Sequence, residues 1–259
     1  MRSVKDSLWL WAHEAGSHNA QYNLVGSSRM TPLEAACYMG IPNVIMVRYR
    51  GLPKPPWRQY ALSLLPLKRV VWSIVGDSGC GGGHDTDEAL ELVDVLPNLT
   101  GVIMDDFFGR KNANGTPGGL SPGELTDIRK RLRSGRRPLD LWVVLYTHEL
   151  HLPVQASLEQ CDVITLWTWR ADDLRKLDEN FAKLEQLAPR HRKVLGLYMW
   201  DYGAGKPMPV ELMRFQTERA LQLFHDGRIE GMIFLASCIC DLGLDAVEWS
   251  RRWIQESRD

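Results

Sequence analysis

The chain has 259 residues, 44% hydrophobic and 24% charged, with a net charge of −1. Those proportions are ordinary for a globular protein and argue against a disordered chain or a membrane protein. The near-zero charge gives no electrostatic footprint for nucleic acid or an anionic membrane, so neither is expected as a partner.

The opening MRSVKDSLWLWAHEAG holds one uncharged stretch, Ser7 to Ala12, which is too short for a signal peptide and is closed by His13 and Glu14. No later segment approaches the ~18 apolar residues of a membrane span, so a cytoplasmic protein is expected. LWLWAHE (8–14) reads as the first strand. TPLEAACYMG follows as a helix, with Thr31 as N-cap, Pro32 in the first turn, Glu34 completing a capping box and Gly40 as the stop. NVIMVRY (43–49) and RVVWSIV (69–75) are the next strands, separated by PPWRQYALSLL, whose helical period is weak. The glycine-rich GDSGCGGGHDTDEA lacks G-K-[ST], and Asp77, Asp85 and Asp87 would repel a phosphate, so it reads as a loop or lid before a helix over 85–96. GVIMDD (101–106) is the fourth strand. GRKNANGTPGG then reads as a flap over the Asp pair, and SPGELTDIRKRLRSG repeats the capping device with Ser121, Pro122, Glu124 and Gly135. LWVVLYTH (141–148), DVITLWTW (162–169), VLGLYMWD (194–201) and GMIFLASC (231–238) complete the strands. Helical spacing fills 171–187, 209–227 and 244–257, and is weak in LPVQASLEQ.

Eight strands alternating with helices require crossover connections and hence a parallel sheet covered by helices. The fold class predicted is α/β, a single-domain (β/α)8 (TIM) barrel, for which roughly 250 residues is the usual length. The competing open sheet would carry a glycine fingerprint after its first strand, and HEAGSHNAQYNLVG has none. Five cysteines, Cys37, Cys80, Cys161, Cys238 and Cys240, have no C-x-x-C spacing and read as buried thiols of a reducing compartment.

In such a barrel, reactive groups gather at the carboxyl ends of the strands. Those ends here offer His13, Glu14, His18 and Asn19; Arg48 and Tyr49; Asp77; Asp105 and Asp106; Tyr146, His148 and Glu149; Trp167, Trp169 and Arg170; Tyr198, Trp200, Asp201 and Tyr202; and Ser237, Cys238 and Asp241. The amino ends, IPN, LKR and NLT, show no comparable collection. Aromatic faces beside carboxylates suit sugar rings, which offer C–H faces and hydroxyls. Barrel filling is the alternative use of the tryptophans. Candidate substrate contacts are His13, Glu14, Arg48, Tyr146, His148, Glu149, Trp167, Trp169, Tyr198, Trp200 and Asp201.

Asp105 and Asp106 pose a geometric question, because strand neighbours point to opposite faces. Both reach the mouth only if the strand has ended. Two close carboxyls split their pKa values, leaving one as acid and one as anion. An apolar fourth strand ending in adjacent acids, GVIMDD, resembles the substrate-assisted N-acetylhexosaminidases, including those that remove O-linked GlcNAc. The resemblance covers about six residues and the inferred fold. It implies that Asp105 orients the substrate's acetamido group, which acts as nucleophile, and that Asp106 is the general acid. Other glycosidases place two carboxylates on different strands, about 5–5.5 Å apart if retaining and 6.5–9.5 Å if inverting; Asp106 with Glu149 or Asp201 would serve.

Two other readings stay open. His13, Glu14, His18, Asp105, His148, Glu149, His151 and Asp201 are metal-binding residue types, as in barrel sugar isomerases or metal-dependent hydrolases. AHEAGSH, however, has no His-x-His, and HELH is not H-E-x-x-H. The other is a non-catalytic carbohydrate-binding barrel. A Schiff-base lysine at a strand end is missing, since Lys54, Lys111 and Lys206 lie further out in loops. The glycosidase reading needs neither cofactor nor metal, and no oligomeric state is specified.

Overall fold

A computed structural model describes residues 3–75, 83–112 and 114–257. The apolar runs form β1 (Leu8–Ala12), β2 (Asn43–Met46), β3 (Arg69–Ser73), β4 (Leu99–Met104), β5 (Asp140–Tyr146), β6 (Val163–Trp167) and β7 (Arg192–Tyr198); a two-stranded hairpin, β8 (Trp200–Asp201) and β9 (Lys206–Pro207), precedes β10 (Met232–Leu235). Seven parallel neighbours and β10 close a barrel in the order β1-β10-β7-β6-β5-β4-β3-β2. The predicted (β/α)8 barrel is therefore the fold, and every strand connection among these eight is a crossover, as parallel pairing demands.

The outer helices are α1 (Pro32–Met39), α2 (Arg58–Ala61), α3 (Gly83–Glu91), α4 (Pro122–Ser134), α5 (Gln155–Leu158), α6 (Leu177–Leu187), α7 (Val210–His225) and α8 (Asp245–Glu256). Both capping boxes form: Thr31 and Ser121 each accept the N–H of the glutamate three residues on, and that glutamate returns the bond. The two segments with weak helical period become single turns, α2 and α5. None of the helices among the described residues is long and apolar enough to cross a membrane. The basic stretch after α4's cap is largely ion-paired, with Arg129 and Arg133 both on Asp162 and Arg131 on Asp87. Cys161, Cys238 and Cys240 are buried free thiols and Cys37 is exposed, against the expectation of burial; Cys80 and Asp77 lie outside the described residues.

Tryptophan fills much of the barrel. Trp9 and Trp142 meet edge to face at the amino end, with ring centroids 5.2 Å apart. Trp11 and Trp167 meet in the same way nearer the carboxyl end, at 5.0 Å. This crowding requires a bare backbone opposite each pair. A Cβ on Gly196 of β7 would lie 2.1 Å from the Trp167 ring, and one on Gly101 of β4 would lie 2.8 Å from Trp142 Nε1. The amino end is also more polar than its sequence suggested. A cavity of about 350 Å³ there is lined by Arg69, Arg192 and Glu230. Arg192 is ion-paired with Asp140 and Glu230, and Arg69 lies over the Trp9 ring at 4.7 Å.

Candidate active site

Every barrel strand stops earlier than its apolar run, which leaves a collar of loops at the carboxyl end. β4 stops at Met104, so Asp105 and Asp106 both stand beyond it. Asp106 then turns into the left-handed region, φ 46° and ψ 32°. That turn breaks the two-residue alternation, and both carboxylates line one cavity of about 300 Å³. Left-handed backbone is costly for a residue with a Cβ, though least so for Asp and Asn. Non-glycine residues in this region among those described are Ala20, Tyr22, Asn23, Arg50 and Asp106. All five sit in loops at this end of the barrel, and three of them line the cavity, the clustering expected where surrounding structure holds strain for a functional site.

The floor of the cavity is Trp11, Trp167, Val144 and Leu235, all buried. One wall is a chain of aromatic contacts, the first two edge-on and the third tilted. Tyr146 meets Trp169 at 6.0 Å, Trp169 meets Tyr198 at 5.7 Å, and Tyr198 meets Tyr202 at 5.6 Å. Tyr146 donates its hydroxyl hydrogen to Asp106 Oδ1 at 2.6 Å. Burial raises the Tyr146 and Tyr198 phenols well above their ordinary value, and the charges of Asp106 and Asp105 add to the rise. Both phenols therefore stay protonated, and Tyr146 is a permanent donor to the carboxylate.

The opposite wall comes from the loops after β1 and β2. His13 Nδ1 lies 3.1 Å from the Val47 carbonyl, which only accepts, so Nδ1 carries the hydrogen. Tyr49 gives its proton to Gln21 Oε1 at 2.5 Å, so Tyr22 is the donor in the 2.9 Å bond between the two hydroxyls. Burial, and then the nearby His13, hold the His18 imidazole down to about 2; it is neutral and shares a 3.0 Å hydrogen bond with the Tyr202 hydroxyl.

A second cavity, of about 420 Å³, adjoins the first and shares Asp106, Tyr146 and Trp169 with it; Arg110, His148 and Glu149 are its own. Asp105 lines only the first. Arg110 comes from the predicted flap, in which Asn112 N–H bonds to Thr116 O at 3.0 Å. The His148 ring stacks on Tyr146 at 5.2 Å, and its pKa is lowered mainly by burial. Glu149 is buried and accepts the Tyr146 backbone N–H at 2.9 Å.

Burial pushes the Glu149 carboxyl up to about 7; the hydrogen bond from Tyr146 N–H opposes the rise and Asp106 adds to it. Unfolded glutamate titrates near 4.3, so between about pH 4 and pH 7 the native state binds more protons and stability falls as pH rises. Glu149→Gln keeps an acceptor for Tyr146 N–H and removes the titration. At pH 8 the variant should be more stable than wild type by about 1–3 kcal/mol, and near pH 4 the gain should shrink toward zero. Urea unfolding at both pH values checks this, and an equal gain at both would refute it.

Of the residues predicted from sequence, Asp105, Asp106, His13, Tyr146, Trp167, Trp169 and Tyr198 meet around the first cavity, and His148 and Glu149 line the second. Four others are placed elsewhere. Glu14 follows the inward His13, and neither cavity includes it; its Oε2 is buried without a hydrogen bond among the described residues. Arg48 pairs with Asp85 at 2.8 Å and lies over Trp57, while its neighbours Tyr49 and Arg50 line the cavity. Trp200 and Asp201 belong to the β8–β9 hairpin rather than to β7. The Trp200 indole donates to Tyr22 O at 3.1 Å, and Asp201 Oδ1 accepts Ala204 N–H at 3.1 Å. Sequence reasoning missed Trp11, Tyr22, Arg50 and Arg110, and gave His18, Tyr49 and Tyr202 no contact role. Trp11 was recoverable, since it shares strand parity with His13. Among the described residues no group of three or more His, Cys, Asp or Glu is placed to hold a metal ion.

No protein-family model matches the chain, and no curated protein matches it. Solved structures do. Active domain 2 of a thermostable chitinase from Pyrococcus furiosus, determined with chito-oligosaccharides, is 12% identical, covering 96% of this chain and 93% of its own, with a TM-score of 0.61. A family 51 α-L-arabinofuranosidase from Bifidobacterium longum is 8% identical, covering 99% of this chain and 74% of its own, with a TM-score of 0.63. A xylanase-α-amylase inhibitor protein, determined with trehalose, is 12% identical, covering 97% and 99%, with a TM-score of 0.61. At such identities the likeness is one of fold, and one fold hosts many functions.

Proposed function

We propose that the protein hydrolyses a glycosidic bond, with Asp106 as general acid and Asp105 as its partner. The observation that carries this reading is the placement of two adjacent carboxylates in one aromatic-walled cavity, with Asp106 Oδ1 already engaged by the Tyr146 hydroxyl. With Oδ1 so occupied, Oδ2 is the atom that carries the transferable proton. Passing it to the glycosidic oxygen lets the bond to C1 break and leaves an Asp106 carboxylate that Tyr146 stabilises. On an N-acetylated sugar, the acetamido oxygen attacks C1 while Asp105 accepts a hydrogen bond from the acetamido N–H. Water then opens the ring so formed, with Asp106 taking a proton back. The aromatic wall packs on the C–H faces of the sugar, and its hydroxyls meet the tyrosine and histidine side chains of the opposite wall.

Sugar release from a panel of aryl glycosides and oligosaccharides, N-acetylated and plain, each with and without EDTA, tests the proposal. Turnover that survives EDTA and requires the N-acetyl group supports substrate assistance. Turnover of plain sugars keeps the hydrolase but rejects that nucleophile. Loss of turnover only in EDTA favours a metal enzyme, and sugar binding without turnover favours a carbohydrate-binding barrel.

A further inference from the structure

The two cavities differ in one respect that matters for bond cleavage. Asp105 and Asp106 both face the first, whereas only Asp106 faces the second. A general acid must touch the oxygen that joins the two halves of its substrate, so it belongs to the wall between their sites. A residue that orients a group on the sugar attacked at C1 touches that sugar alone. Resting on the hydrolytic reading above, we propose that the second cavity is the leaving-group subsite, that it takes a sugar ring rather than an apolar aglycone, and that cleavage falls at the Asp106–Tyr146–Trp169 partition.

The lining fits a sugar. Tyr146 and Trp169 form a corner with their ring planes 86° apart, and His148 stacks against Tyr146 with only 14° between planes. These aromatic walls stand beside Glu149, Arg110 and the His148 imidazole, which supply donors and acceptors for ring hydroxyls. At about 420 Å³ the space lies within the range of small-ligand sites. An apolar aglycone would offer no hydrogen-bonding group to Glu149, Arg110 and His148, whose desolvation against it would be uncompensated and unfavourable.

The test compares two substrates with the same glycone, a disaccharide and the corresponding glycosyl fluoride. Fluoride leaves as a single atom and needs no subsite. In Arg110→Ala and His148→Ala the ratio of kcat/KM on the disaccharide to that on the fluoride should fall at least tenfold, chiefly through KM for the disaccharide. Measuring the ratio removes any general loss of folded enzyme. A ratio within twofold of wild type in both variants overturns the subsite while leaving the hydrolase standing. No turnover of either substrate by the wild type sinks the hydrolytic reading, and this inference with it.

Discussion

Asp106→Asn is expected to lower kcat on a glycoside with a poor leaving group by roughly 10²–10⁴-fold, the usual contribution of a positioned general acid. The substitution is well suited to the question because it changes little else. Asparagine tolerates the left-handed backbone at position 106 at least as well as aspartate does. Its amide oxygen still accepts the Tyr146 hydroxyl in place of Oδ1. What disappears is the proton on the second oxygen. The loss should therefore depend on the leaving group, being large for an alkyl or sugar alcohol and small for a dinitrophenolate or fluoride, which depart without protonation. Asp105→Asn should behave differently and slow both kinds of substrate, because an orienting residue acts on the sugar that both share. The decisive measurement is kcat/KM for each variant on substrates spanning leaving-group pKa. If Asp106→Asn retains activity within threefold on the poorest leaving group, or loses equally on all of them, Asp106 is not the acid.

The fold was legible because its signals are periodic. Apolar runs, capping boxes at Thr31 and Ser121 and the alternation itself require no tertiary information, and each reappears in the structure. The site was legible only where strand parity or strand ends decide it. His13 and the acidic pair are in that class, and so was Trp11 had the parity been extended backwards from His13. Arg48 shows the limit, since a choice between adjacent residues turns on where β2 ends, and the cavity takes Tyr49 and Arg50. Trp200 and Asp201 were read as the end of one long strand, but β7 stops at Tyr198 and the chain folds back as a hairpin, so the two residues are spent on local structure. Tyr22 and Arg110 sit in irregular loops, where no period exists to read. The left-handed turn at Asp106, which brings both acids to one cavity, is likewise a tertiary fact.

Gly196→Ala should cost about 3 kcal/mol or more of stability, at the upper end of what overpacking a core typically costs, and lower the melting temperature by roughly 6–12 °C for a chain of this size. The added Cβ would sit 2.1 Å from ring carbons of Trp167, far inside van der Waals contact. Backbone movement is no easy escape, because β7 is hydrogen-bonded to β6 on one side and β10 on the other. The indole is held as well, by a 2.8 Å bond from Nε1 to Thr165 Oγ1 and by the edge of Trp11 5.0 Å away. The side on which Trp167 does have space is the cavity it floors. A relaxed variant would thus push the ring toward the substrate and raise KM together with its loss of stability. Trp167→Leu removes the ring and is itself destabilising, since it leaves a void. In that background, however, Gly196→Ala should cost less than half of what it costs in the wild type, a coupling characteristic of residues in direct contact. Additive costs in the double-mutant cycle would mean that the glycine is not there to make room for the tryptophan, and that the floor of the site is set by something other than this pair.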